Sequence, residues 1–224
     1  MEGIKKQIRD NKYLNWILIF SNWLFQGIIH ADRTEKVYKI LFTVCFWVAT
    51  SLAFFVFSSY NLITCIIIGF FLAHTLNWIV NGNFIVLLGH RLKITKLSKK
   101  NLFLYLDYFR EKLKYQNWIL YAASFGSICK GKLKDSSDID ISIVRKPGLK
   151  HAILSILFSF REKKIADYKG IPLEIYISDS PENSINRFGG EKNPLVLHDP
   201  QNIIDKYYKE KLSLEEAQRM NIIE

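Results

Sequence analysis

The sequence predicts two parts of different kinds: an all-α transmembrane helical hairpin, then a small α/β (α+β) domain built on a mixed sheet. Three observations carry this. From Ile40 to His90 there is no Asp, Glu, Lys or Arg. Past Arg91 the charges return, and short strand-like apolar runs alternate with amphipathic helical ones. Three cysteines and five prolines in 224 residues exclude a disulfide scaffold and long low-complexity linkers. A hydrophobic content of 49% excludes a disordered chain.

The uncharged stretch divides at the small polar cluster Ser58-Ser59-Tyr60-Asn61. Residues 40–57 and 62–80 lie on either side, and about 20 apolar helical residues cross a bilayer core of roughly 30 Å. We expect these two runs to be the spans of a hairpin covering residues 37–92. A signal peptide fits poorly, because the apolar run begins near residue 40 and outlasts an h-region. A buried helical pair of a soluble core is the competing reading, and the length argues against it. Residues 1–36 form a separate segment. Asn15–Ile29 is rich in Trp, Leu, Ile and Phe but short for a span, so an interfacial or re-entrant helix is expected.

Charge sets the expected topology. Lys5, Lys6, Arg9, Lys12, Arg33, Lys36 and Lys39 precede the hairpin, and Arg91, Lys93, Lys96, Lys99 and Lys100 follow it. Basic flanks stay cytoplasmic, so both termini and the soluble domain are expected on the cytoplasmic side of a multi-pass cell-membrane protein. The formal charge of +10 points first to anionic lipid. No nucleic-acid reading motif accompanies it, so nucleic acid is not an expected partner. Cys45 and Cys65 read as packing residues and Cys129 as a reduced cytoplasmic thiol. His74, Asn77 and Asn81 fall on one face of the second helix. They read as glue within the hairpin or across a homo-oligomer, or alternatively as contacts to a lipid headgroup or polyprenyl phosphate. Asn81-Gly82-Asn83 is expected to end that helix, with Phe84–Leu88 along the surface.

The soluble part reads as a helix over 98–115, a strand over 118–123 and a strand over 138–144. A helix follows from Leu149 to Phe160, closing at Arg161–Lys164. Strands are then expected over 172–177 and 195–197, and residues 202–220 read as mostly helical. The catalytic unit is placed at 95–205 and a helical tail at 206–224.

Three features of this domain belong together. Gly126-Ser127 follows an apolar strand, where a glycine admits close approach to a ligand and helix-start amides bind phosphate. Asp138 and Asp140, two apart on a strand, point to one face. Crowded carboxylates repel unless a cation sits between them, and hard oxygens suit Mg²⁺ or Mn²⁺. Glu174 interrupts a third apolar strand, on the face it shares with Tyr176, and a charge there needs a partner. Lys130, Lys132 and Lys134 make a basic loop that either steers phosphates or is simply solvated.

The run FGSICKGKLKDSSDIDISI resembles the signature of the DNA polymerase beta-like nucleotidyltransferase superfamily. Gly126, Ser127, Asp138, Asp140 and Glu174 match its pattern. The VLHDP run at residues 196–200 resembles the end of small prokaryotic members. The resemblance covers residues 95–205 and implies a nucleotidyltransferase fold. It also implies transfer of a nucleoside monophosphate from an NTP to an acceptor, with release of pyrophosphate. Asp138, Asp140 and Glu174 would be the catalytic and metal-binding carboxylates for Mg²⁺ or Mn²⁺. Gly126, Ser127 and Lys130 would bind the nucleotide. The acceptor is unidentified: a lipid- or glycan-linked group, or a protein hydroxyl. A non-catalytic nucleotide-binding membrane scaffold and a toxin–antitoxin-type protein nucleotidyltransferase are the alternatives.

Overall fold

The computed structural model describes residues 12–81, 98–134 and 137–222, with no side-chain environment for residues 12–15 and 30. The chain divides into two units, Met1–Leu87 and Leu88–Glu224. The expected helix end at Gly82 and Asn83, the surface segment Phe84–Leu88, and the flanking Lys5, Lys6, Arg9, Arg91, Lys93 and Lys96 lie outside the described residues.

The first unit holds α1 (Lys12–Phe25), α2 (Arg33–Phe57) and α3 (Leu62–Asn81). Both α2 and α3 are long and apolar enough to cross a membrane. α2 begins at Arg33, earlier than its apolar run, because Glu35 and Lys39 pair at 2.8 Å across one helical turn. Lys39 Nζ also donates to the Gln26 carbonyl at 3.0 Å.

Small residues let α2 and α3 approach closely. A Cβ on Gly69 would collide with Ser51, so only glycine fits there. Thr50 Oγ1 donates to the Gly69 carbonyl at 3.1 Å, and Trp47 Nε1 to that of Ile66 at 2.9 Å.

The polar row of α3 finds its partners inside this unit. His74 Nε2 lies 3.0 Å from the Trp23 carbonyl. Asn77 Nδ2 donates to Thr43 Oγ1 at 2.8 Å, and Asn81 Nδ2 donates to Asn77 Oδ1 at 2.8 Å. Tyr38 donates to Asn81 Oδ1 at 2.8 Å. The glue reading accounts for every one of these contacts. At 14 residues α1 spans about 21 Å, short of a bilayer core. It packs on α3 through Trp23 Nε1 to Thr75 Oγ1 at 3.2 Å and Trp78 Nε1 to Asn22 Oδ1 at 2.7 Å.

The second unit is mixed α/β. Its order is α4 (Lys99–Lys114), β1 (Ile119–Phe125), a 3₁₀ turn (Gly126–Lys130), β2 (Ile139–Arg145), α5 (Leu149–Tyr168), β3 (Leu173–Ser178), α6 (Pro181–Phe188), β4 (Leu195–His198) and α7 (Leu214–Ile222). The four strands form one sheet ordered β3-β2-β1-β4. β1 runs antiparallel to β2 and β4, while β2 and β3 are parallel, joined through α5. One face packs on α4, α5 and α7 through residues such as Leu106, Phe109, Ile141, Ile175 and Ala217. The other face holds Tyr121, Phe125, Val144 and Ile204, with Phe188 of α6 packed against them.

Three sequence expectations change. α5 continues to Tyr168 instead of closing at Lys164, because Glu162 and Ala166 turn inward and are fully buried. The Glu162 carboxylate pairs with Lys112 of α4 at 2.7 Å. A helix the sequence reading missed, α6, starts at Pro181, with Ser180 Oγ accepting from the Asn183 amide at 3.3 Å.

Residues 202–220 are not one continuous helix. They hold a single turn at Ile204–Lys206, then extended chain, then α7. Asp199 accepts from the Ile203 and Ile204 amides at 2.9 Å each, fixing the turn. Leu212 bridges Leu195 like an added strand residue, so the chain there pairs sideways instead of coiling. Ser213 and Glu216 then make a reciprocal capping box, at 2.8 and 3.2 Å, that starts α7 afresh. α7 is part of the domain core: Asn221 Nδ2 donates to the Ile128 carbonyl at 2.8 Å and its Oδ1 accepts from the Leu133 amide at 3.1 Å.

Candidate active site

Strand register brings the expected residues to one place. In β2, Asp140 stands opposite Phe125, the last residue of β1, and opposite Glu174 of β3. Gly126 therefore turns away from β1 directly beside the Asp140 carboxylate. Its φ is +89°, a left-handed conformation that favours glycine, and a Cβ built on it would lie 3.6 Å from Asp140 Oδ2. Ser127 is the second residue of the 3₁₀ turn, and its Oγ is buried with no hydrogen-bond partner. A buried hydroxyl without a partner is costly unless something else uses it. Asp138 lies one residue before β2, half-buried, close enough to act electrostatically on both other carboxylates.

The electrostatics are those of crowded anions. Burial, then Glu174, then Asp138 push the Asp140 carboxyl up to about 7. Glu174 is buried and its carboxyl is raised as well, first by desolvation, with Asp138 adding to it. Lys163 and Arg187 pull Glu174 the other way.

Two contributors have no precedent in the motif. The Tyr176 hydroxyl reaches both carboxylates, Glu174 Oε2 and, at 3.2 Å, Asp140 Oδ1. It has one proton to give, so the two anions share a single donor. The Arg187 guanidinium of α6 stacks 3.9 Å from the centre of the Tyr176 ring. The shared face of positions 174 and 176 was a sequence signal for Tyr176. Arg187 lies in α6, whose local signal is the Ser180-Pro181 helix start.

The Lys130 side chain is about half exposed and pairs with Glu191 at 2.8 Å, which gives it a partner other than phosphate. Cys129 is buried, its Sγ donates to the Ser124 carbonyl at 3.2 Å, and desolvation pushes its thiol up to about 12. It is no nucleophile in that state.

Among the described residues, no group of three or more His, Cys, Asp or Glu side chains comes together closely enough to hold a metal ion. The neighbouring pair Asp140 and Glu174 is what the site offers a cation. Mg²⁺ is commonly held by one or two carboxylates with substrate phosphates and water completing the shell. The donor chemistry and the crowding of the carboxylates fit that mode. No family model, curated protein or solved structure matches the chain.

Proposed function

We propose that the chain is a membrane-anchored, metal-dependent nucleotidyltransferase of the DNA polymerase beta-like kind. It would move a nucleoside monophosphate from an NTP to an acceptor hydroxyl. The observation that supports this best is the apposition of the Gly126-Ser127 turn and the Asp140–Glu174 pair, set by adjacent registers in three strands.

Each residue then has a task. Gly126, lacking a side chain, lets the triphosphate lie against the backbone beside Asp140. The Ser127 hydroxyl, without a protein partner, donates to a phosphate oxygen. Asp140 and Glu174, with Asp138 beside them, would hold Mg²⁺ or Mn²⁺, which when bound neutralises phosphate charge and stabilises the leaving pyrophosphate. In this reading the acceptor oxygen bonds to the α-phosphorus, the bond from that phosphorus to the β-phosphate oxygen breaks, and the acceptor proton passes to a site carboxylate, to which Glu174 is assigned.

α2 and α3 support anchorage in the cell membrane by length and apolarity, and their basic flanks support cytoplasmic ends. Anchorage favours a lipid- or glycan-linked acceptor. The test is binding of a fluorescent NTP analogue to the detergent-solubilised chain with and without Mn²⁺. Mn²⁺-dependent binding that Asp140→Asn abolishes supports the reading, and binding indifferent to both Mn²⁺ and that substitution contradicts it.

A nucleotide-binding scaffold without turnover is the second reading. The Tyr176 hydroxyl between the two carboxylates, and the lack of a three-ligand set among the described residues, favour it. Binding without transfer to any acceptor would decide for it.

A further inference from the structure

α5 is apolar on two faces. Its inward face carries the buried Ser155, Phe158, Ser159, Glu162 and Ala166, with Leu154 and Ile165 packed partly buried against the core. Its outward face carries Leu149, Ile153, Ile156, Leu157 and Phe160, spaced three and four apart so that they form one stripe. Leu149 is 78% exposed and Leu157 60% exposed. Single exposed apolar residues are ordinary, but a contiguous stripe over three turns is a surface awaiting a partner.

The residues around the stripe identify the partner's chemistry. Lys150 and Arg161 are exposed at its edge. Lys164 lies 5.9 Å from the Phe160 ring, and Tyr168, 92% exposed, closes the far end. The exposed cations outnumber the one acidic residue on this side, Asp167, which pairs with Lys164 at 3.2 Å. An apolar stripe edged by Lys and Arg with an exposed tyrosine is the composition of a helix lying in a lipid interface. A protein partner's apolar groove would not require the basic edge.

We infer that α5 lies on the surface of an anionic bilayer, with Leu149, Ile153, Leu157 and Phe160 among the acyl chains and Lys150 and Arg161 at the headgroups. This rests on the membrane anchorage proposed above, but not on the nucleotidyl transfer.

The experiment places the photocrosslinker benzoylphenylalanine at Leu157 in the full chain, reconstituted in vesicles of phosphatidylcholine with or without phosphatidylglycerol. Matched chains carry it at Leu52 of α2 or at the exposed Lys209. The expected result is a lipid adduct by intact mass at positions 157 and 52 but not at 209. The adduct at 157 should rise at least several-fold when phosphatidylglycerol is present. An adduct at 52 with none at 157 overturns the docking of α5 and leaves anchorage standing. No lipid adduct at either overturns both. A crosslink from 157 to a second copy, or to residues 82–97 of its own chain, overturns the lipid assignment in favour of that occupant.

Discussion

Asp140 and Glu174 stand directly opposite each other across the parallel β2–β3 pair, a half-buried and a buried carboxylate bridged by one tyrosine hydroxyl. That relationship makes the site an electrostatic liability until something positive enters it.

The first consequence is a pH-dependent cost. Asp140 has its carboxyl raised from 3.8 to about 7, so between those values the folded chain binds a proton that the unfolded chain does not. Stability therefore falls as pH rises from about 4 to about 7, and above that the whole penalty is present. Asp140→Asn removes it. In chelator near pH 8 this variant should be more stable than the wild type by about 1–4 kcal/mol, with the gain vanishing near pH 4. Thermal or urea unfolding across that pH range checks both the size and the sign.

The shared donor can be removed alone. Tyr176→Phe keeps the ring under Arg187 but takes the proton donor from two anions. A loss of about 1–3 kcal/mol is expected in chelator near pH 8, shrinking toward pH 4 as the carboxylates protonate. Millimolar Mg²⁺ should recover much of it, because a bound cation stabilises the folded state by mass action. A loss equal at both pH values would mean that the hydroxyl only packs.

Gly126 tests the phosphate approach. Gly126→Ala forces a side chain into φ +89°, at a cost of about 1–2 kcal/mol. Its methyl group also occupies the space beside Asp140. NTP affinity should drop by about tenfold or more, beyond what the stability loss explains, as equilibrium binding at a temperature where both proteins are folded would reveal.

The polar row of α3 predicts the opposite separation. The His74→Ala/Asn77→Ala/Asn81→Ala variant loses the bonds that tie α3 to Trp23, Thr43 and Tyr38. Each such interhelical bond is worth about 0.6 kcal/mol on average in a bilayer protein. The melting temperature in detergent should fall, while activity on the native acceptor stays unchanged in the folded fraction. Activity lost without any thermal effect would instead assign the row to substrate.

The order of chemistry was legible in the sequence because strands alternate faces and because glycine, paired aspartates and a strand glutamate are each unusual where they stand. Asp140, Glu174 and Gly126 meet as that spacing implies. What sequence did not carry were contacts made across the chain. Lys130 reads as a phosphate ligand from its neighbours, but its partner Glu191 lies in a loop beyond α6. Arg187 reaches the site only because α6 folds beside β3, and the eight residues of α6 do not say which strand they pack beside. The region after Asp199 misled for a related reason: its helical composition is overridden by side-chain caps and by pairing with β4.

The most direct measurement is transfer of label from each α-labelled NTP, with Mg²⁺ or Mn²⁺, by the solubilised chain in the presence of a native membrane extract. Label moved to an acceptor by the wild type, and not by the Asp138→Ala/Asp140→Ala variant, is the expected result. The labelled fraction, lipid, glycan or protein, then names the acceptor class. Metal-dependent NTP binding with no transfer under any of these conditions would contradict catalysis and leave a nucleotide-binding scaffold.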